Sequence, residues 1–324
     1  VGTGHGHGHG QATSESDQRW LAGALAVIVV FMLGEVVVGL LAGSLALLSD
    51  AAHMLTDAAA IALALWAIRL AARPAKGRMT YGWKRVEILS ALANGLTLLL
   101  LAAWLTYEAI HRLINPPEVT GGLVLVVALI GIVVNLAATM MINRANRSSL
   151  NVEGAFQHIL NDLFAFIATA VAGLVMLLTG FARADAIATL VVVALMVKAG
   201  YGLVRESSRI FLEAAPAGLD PDAIGAALAA RPHVAEVHDL HIWEITSGQP
   251  ALSAHVLVDP GEDCHAVRGD LARLLADEHH IEHVTLQVDH CAPTVLGITD
   301  GVDHCKDPHG KEHRASAGSV TSPS

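Results

Sequence analysis

Charge is what this sequence has least of. Of its 324 residues, 15% are Asp, Glu, Lys or Arg and 53% are hydrophobic, whereas a soluble domain carries roughly a quarter charged residues. That deficit points to a bilayer. The net charge of −10 is also uneven, with acidic residues and most of the 18 histidines in the last third and at the extreme N-terminus. No basic stripe exists, so nucleic-acid binding has no support. Cysteine is scarce: Cys264, Cys291 and Cys305 form no Cys-x-x-Cys pair, and three thiols cannot close two bridges, which excludes a disulfide framework. Two catalytic strings are missing as well. Without His-Glu-x-x-His there is no motif for an intramembrane metalloprotease, and without Gly-x-x-x-x-Gly-Lys none for a nucleotide-driven pump. The first nineteen residues are polar and His/Gly-rich, and no small-residue cleavage pattern follows the next apolar stretch, so no cleaved leader is expected.

Long apolar runs are abundant. A spanning helix needs about 20 mostly apolar residues, and six segments qualify: Trp20–Ala42, Leu45–Leu70, Val86–Glu108, Gly121–Asn143, Val152–Thr179 and Ala184–Leu203. Breakers separate neighbours, most clearly Asn115-Pro116-Pro117 between the third and fourth. Basic residues sit on alternate connections. Arg69, Arg73, Lys76, Arg78, Lys84 and Arg85 lie between spans two and three, Arg144 and Arg147 between four and five, and Arg205 and Arg209 after six. The opposite connections hold only Arg112 and Arg183. By the positive-inside bias both termini are cytoplasmic.

From about Glu206 the character changes. Pro216, Gly218 and Pro221 mark a linker, and the remainder reads as a small α+β domain in the order α-β-β-α-β. Its elements are Asp222–Ala230, Val234–Ile245, Ala251–Val258, Ala266–Glu278 and His283–Asp289. The expected organisation is a flexible tail (1–19), a six-helix α-helical membrane domain (20–205), a cytoplasmic α+β domain (206–291) and a disordered tail (292–324).

Ionisable side chains inside a span are costly and mark function by default. Here they form a pattern: His53 and Asp57 in the second span, His158 and Asp162 in the fifth, each pair at i, i+4 and so on one helix face. If the two spans pack together, two imidazoles and two carboxylates converge near the bilayer midplane. Two nitrogens and two oxygens suit a tetrahedral ion, zinc before cobalt or cadmium. The alternative is that each pair is a hydrogen bond holding the bundle together, but repetition in two spans favours transport. Glu35 and Asp50 are weaker membrane candidates. Asn94 and Asn135 read as interhelical hydrogen-bonding residues, and Asn161 as a supporting partner of Asp162. Because imidazole binds metal only when neutral, metal and proton compete at such a site, which supplies a coupling.

Three stretches carry a family resemblance. Ser44-Leu45-Ala46-Leu47-Leu48-Ser49-Asp50-Ala51-Ala52-His53 leading to Asp57 resembles the second-helix signature of the cation diffusion facilitators. Tyr81-Gly82-Trp83-Lys84-Arg85-Val86-Glu87 is similar to that family's loop into the third helix, and Asp239-Leu240-His241-Ile242-Trp243 to the first strand of its cytoplasmic domain. The likeness runs from about Trp20 to His290. It implies a homodimeric metal/proton antiporter exporting divalent cations, not an enzyme, in the inner membrane of a bacterium. Histidine in both helical pairs implies zinc, with broader cadmium/cobalt export as the alternative and a membrane-anchored metal sensor as a more distant one. The resemblance also implies regulatory Zn2+ in the cytoplasmic domain, at His238, His255, His265 and Asp289. Gln287 stands where some members have a further His, with His283 as the substitute.

Overall fold

The computed structural model describes residues 11–42, 45–115, 121–145, 149–181, 183–291 and 310–314. The chain divides into two compact units, Val1–Ser208 and Arg209–Ser324.

The first unit is built of helices: α1 (Gln11–Ala42), α2 (Leu45–Ala71), α3 (Val86–Ile114), α4 (Gly121–Ile142), α5 (Leu150–Thr179) and α6 (Ala184–Phe211). Local chemistry sets their ends. Ser149 caps α5, its hydroxyl oxygen accepting from Val152 N–H, and Gly180 closes it at φ 71°, a left-handed position glycine adopts at no steric cost. The α3 helix stops at Asn115, the residue before Pro116, where helical backbone is disfavoured. Helix α1 starts at Gln11, inside the stretch expected to be a flexible tail. Nothing from Gln11 to Arg19 breaks a helix, glycine ending at Gly10.

Among the described residues, four helices are long and apolar enough to cross a membrane: Val86–Ile114, Leu125–Ile142, Leu150–Thr179 and Ala186–Phe211. The α1 helix adds a shorter apolar stretch, Gln18–Gly34. Six helices stand where the sequence leads one to expect six spans, and four of them qualify as spans by length and composition among the described residues. The distribution of side chains is that of a lipid-solvated bundle. Leu100, Val133 and Leu178 are each more than two-thirds exposed, whereas Asp57, Asn135 and His158 are fully buried. One apolar core joins α1, α2, α4 and α5 through Leu21, Ile28, Met54, Ile61, Ile142 and Ile159. A second joins α3 and α6 through Leu98, Ala102, Val192, Met196 and Leu203.

The second unit contains α7 (Pro221–Ala229), β1 (Val234–Glu244), β2 (Pro250–Val258), α8 (Cys264–His279), β3 (His283–His290) and β4 (His313–Arg314). The sheet order is β3-β2-β1-β4. Strands β1 and β2 run antiparallel, β3 lies parallel to β2 after the α8 crossover, and β4 is antiparallel to β1. Asp220 and Asp263 cap α7 and α8 by accepting backbone N–H bonds. Ile224 and Leu228 of α7, Val237 and Ile242 of β1, Leu252 and Val256 of β2, and Leu271 and Leu275 of α8 form the core.

The α-β-β-α-β order holds, with one addition. Residues 292–324 are expected to be disordered on composition, yet His313–Arg314 pairs with β1 as a fourth strand. Its seat is specific: buried His313 lies on Gly225 of α7, where an added Cβ would come within 2.3 Å of the ring.

Arg231 places Nε and Nη2 at 2.9 and 2.6 Å from Asp270 Oδ2. These hydrogen bonds hold the Asp270 carboxyl below the usual carboxylate range, although desolvation works against them. A depressed folded pKa contributes stability that is present above the unfolded value and lost as pH falls through the folded one. The stability difference between wild type and Arg231→Gln should therefore be constant from neutral pH to about 4 and shrink below it. Both side chains are more than a third exposed, so the difference should stay under about 1 kcal/mol; thermal unfolding against pH measures it.

Candidate metal centre

Helices α2 and α5 pack together antiparallel, and two contacts set their register. Asp57 Oδ1 of α2 lies 2.7 Å from His158 Nε2 of α5. Seven residues along each helix, in opposite directions, Asn151 Nδ2 donates to Ala64 O at 2.8 Å. Seven residues are two turns, about 10.5 Å of axis, so both contacts recur on the same helix faces. The bundle interior thereby positions Asp57 against His158, and Asp162, one turn further along α5, brings Oδ2 to 3.9 Å from the same imidazole nitrogen.

Donor atoms of Asp57, His158 and Asp162 all lie within 4.8 Å of one another, and all three residues are buried. They are the set of three or more His, Cys, Asp or Glu donors that converges so closely among the described residues. One imidazole nitrogen and two carboxylate oxygens at this separation suit a divalent cation, with room in a tetrahedral shell for a fourth ligand. The side chain of His53, the fourth expected ligand, lies outside the described residues, as do those of Glu35 and Asp50. So does the run His5-Gly6-His7-Gly8-His9.

The supporting residues follow expectation in part. Asn161 is buried, but its Nδ2 makes no hydrogen bond among the described residues, and adjacent helical side chains point about 100° apart, so it does not share the face of Asp162. Asn135 donates to Gly131 O at 3.1 Å within its own helix, and among the described residues it makes no hydrogen bond to a second helix. Asn94 does face another helix, since a Cβ on Gly154 of α5 would approach its Nδ2 to 3.2 Å. The residue sequence reasoning missed is Asn151. Its signal is a polar amide two turns before His158, on the face that carries the site. Glu87 at the start of α3 also accepts the hydroxyl of Ser149, tying that helix to the cap of α5.

In the second unit, His238 and His255 stand directly opposite on β1 and β2, their rings edge to face with centroids 5.5 Å apart. Gln287 continues this row on β3, in register with His255. Asp289 projects from the same face of β3 two residues further on, and Gln287 Nε2 donates to its Oδ2 at 2.9 Å. His283 does not substitute for the missing histidine. It pairs with Ala251, four residues before the His255 row, which is about 13 Å along the strand. Right face, wrong register. His265 lies on the first turn of α8, its backbone N–H donating to Asp263 at 2.9 Å. Asp239, at φ 52° in the irregular stretch between His238 and His241, places Oδ1 3.0 Å from His241 Nε2 and Oδ2 3.8 Å from His255 Nε2. Cys264 and Cys291 are both free thiols.

With this geometry in hand, comparison with known proteins is direct. Residues 21–212 match the family model of the cation efflux transmembrane domain, and residues 216–291 that of the cation efflux protein cytoplasmic domain. The chain is 38% identical over 274 residues to the metal cation efflux system protein CzcD of Cupriavidus metallidurans, covering 84% of this chain and 87% of that protein. It is 37% identical over 263 residues to a cadmium, cobalt and zinc/H(+)-K(+) antiporter of Bacillus subtilis, covering 80% and 85%. To the zinc transporter ZitB of Escherichia coli it is 34% identical over 292 residues, covering 89% and 93%. The chain belongs to the cation diffusion facilitator family of cation-efflux proteins. It is an integral membrane protein with a cytoplasmic α+β domain, and its family comprises transporters rather than enzymes.

Proposed function

We propose that this protein exports divalent metal ions from the cytoplasm, zinc foremost, in exchange for protons. The observation that carries the reading is the buried contact of Asp57, His158 and Asp162 across two packed helices. All six helices of the first unit cross the bilayer with both termini in the cytoplasm, two copies of the chain associate through their cytoplasmic domains, and His53 completes the transport site.

Cytoplasmic zinc replaces protons on the imidazole, because only the neutral ring offers a lone pair to metal. On the far side, protonation of the same nitrogen expels the ion. Asp57 and Asp162 neutralise the cargo in a medium of low dielectric, where an unpaired divalent charge is prohibitive. Rocking of helices about this midplane site provides alternating access. A second, regulatory zinc is held in the cytoplasmic domain by His238 and His255, with Asp289 and His265 as further donors; the paired imidazoles on neighbouring strands fit that role.

Cadmium and cobalt stand beside zinc as cargo, because an N/O donor set discriminates poorly among these ions and relatives named for all three lie at similar identity. Reconstituted vesicles test the coupling. An imposed pH gradient should accelerate zinc uptake several-fold, and its collapse by a protonophore should remove the gain. Uptake indifferent to the gradient overturns the antiport reading.

A further inference from the structure

We infer that the C-terminal strand β4 is a positioning element of the cytoplasmic metal site, acting on His238 through Glu236. The inference rests on the reading of His238 as a zinc ligand. Glu236 and His238 are two residues apart on β1, both buried, with Glu236 Oε1 3.1 Å from His238 Nδ1. The other carboxylate oxygen, Oε2, accepts from Arg314 Nε at 2.9 Å, and Arg314 is the register partner of Glu236 in the β1–β4 ladder. One buried carboxylate therefore sits between a guanidinium from the tail and an imidazole of the site.

A histidine that binds metal through one ring nitrogen characteristically turns the other to a carboxylate, which fixes the ring and raises its basicity. Glu236 Oε1 stands within ion-pair distance of His238 Nδ1, though not in hydrogen-bond alignment with it, so the carboxylate faces this nitrogen and Nε2 is the one left for metal. Arg314 in turn fixes the carboxylate. The guanidinium enters only when β4 is seated, and the seat is built for it. His313 fills the space left by Gly225 on α7, and its Nε2 lies 3.8 Å from Asp222 Oδ1. Lys311 Nζ reaches the other oxygen of Asp222 at 3.4 Å.

Coupling of this kind is reciprocal: if a seated tail favours zinc, zinc favours the seated tail by the same factor. The tail thus gives the cytoplasmic site a means of reporting its occupancy to the edge of the sheet.

The test uses the full chain in detergent, in an Asp162→Ala background that disables the transport site, with zinc titrated calorimetrically. Glu236→Gln should weaken cytoplasmic zinc binding about tenfold. Truncation after residue 309 and Gly225→Ala should each weaken it about fivefold. Gly225→Ala displaces the His313 ring while strengthening α7, since alanine is the better helix former, so its effect cannot be assigned to unfolding of that helix. Arg314→Lys should recover part of what Arg314→Ala loses. Zinc should slow amide exchange at residues 313–314 in the untruncated chain, a change that a purely structural tail would not show. Unaltered zinc affinity in the truncated and Gly225→Ala proteins, or exchange at β4 indifferent to zinc, overturns the inference. His238→Ala separates the two readings. If it leaves the number of bound zinc ions unchanged, His238 is not a ligand and the inference falls with that reading. If it removes one, only the tail coupling is at stake.

Discussion

Replacing Asp162 with Ala should reduce zinc flux in proteoliposomes to that of protein-free vesicles. The substitution deletes one of two carboxylates that converge with His158 within 4.8 Å, and the loss of even a residue that merely supports a ligand costs about 10–100-fold in metal affinity. Asp162→Asn should be nearly as inactive while keeping the packing, because it preserves volume and removes the charge that the cargo needs. A decisive contrast is the double substitution Asp57→Leu with His158→Met. If these residues only glue the helices, apolar replacements of similar size should be neutral or stabilising and flux should survive. If they carry cargo, the double variant should be as stable as wild type or more so, and inert. Retained flux in the double variant would remove these residues from the transport pathway.

Gly200→Val should have the second largest effect, on the integrity of the membrane domain. Helices α3 and α6 approach through paired glycines. A Cβ on Gly200 would stand 3.0 Å from Gly95 O, and one on Gly95 would stand 2.9 Å from Leu203 Cβ and 3.1 Å from Gly200 O. These neighbours are backbone or backbone-proximal atoms that cannot swing aside, so a larger side chain must part the helices. Close approach over small residues is a principal source of helix association where lipid removes the hydrophobic drive, and overpacking costs about 1–3 kcal/mol. The apparent Tm of the detergent-solubilised protein should fall by several degrees. Gly202 supplies the control: nothing lies within 4 Å of a Cβ there, so Gly202→Ala should leave Tm unchanged or raise it slightly. Equal Tm values for Gly200→Val and Gly202→Ala would show that the glycine contact contributes nothing.

Much of this was legible in the sequence because helical periodicity is local. The spacing of His158 and Asp162 places both on one face without knowledge of any other residue, and the composition of the runs between them announces the bilayer. What stayed hidden depends on the alignment of segments distant in sequence. The bond from Asn151 to Ala64 needs the register of α5 against α2, which no property of either helix alone specifies. His283 illustrates the same limit in a strand: alternation assigns its face correctly, while only pairing with Ala251 reveals that it is out of reach of His255. The tail strand β4 failed to register because two residues set no period, and its docking depends on a cavity above Gly225 that only the folded domain creates.

The contact between Asp57 and His158 also has a mechanical side. The imidazole and the carboxylate engage each other at 2.7 Å across a buried helix pair, so the same atoms that would grip a cation also staple α2 to α5. An ion that takes His158 Nε2 as a ligand must first break that staple, so loading the site would loosen the seam between the two helices.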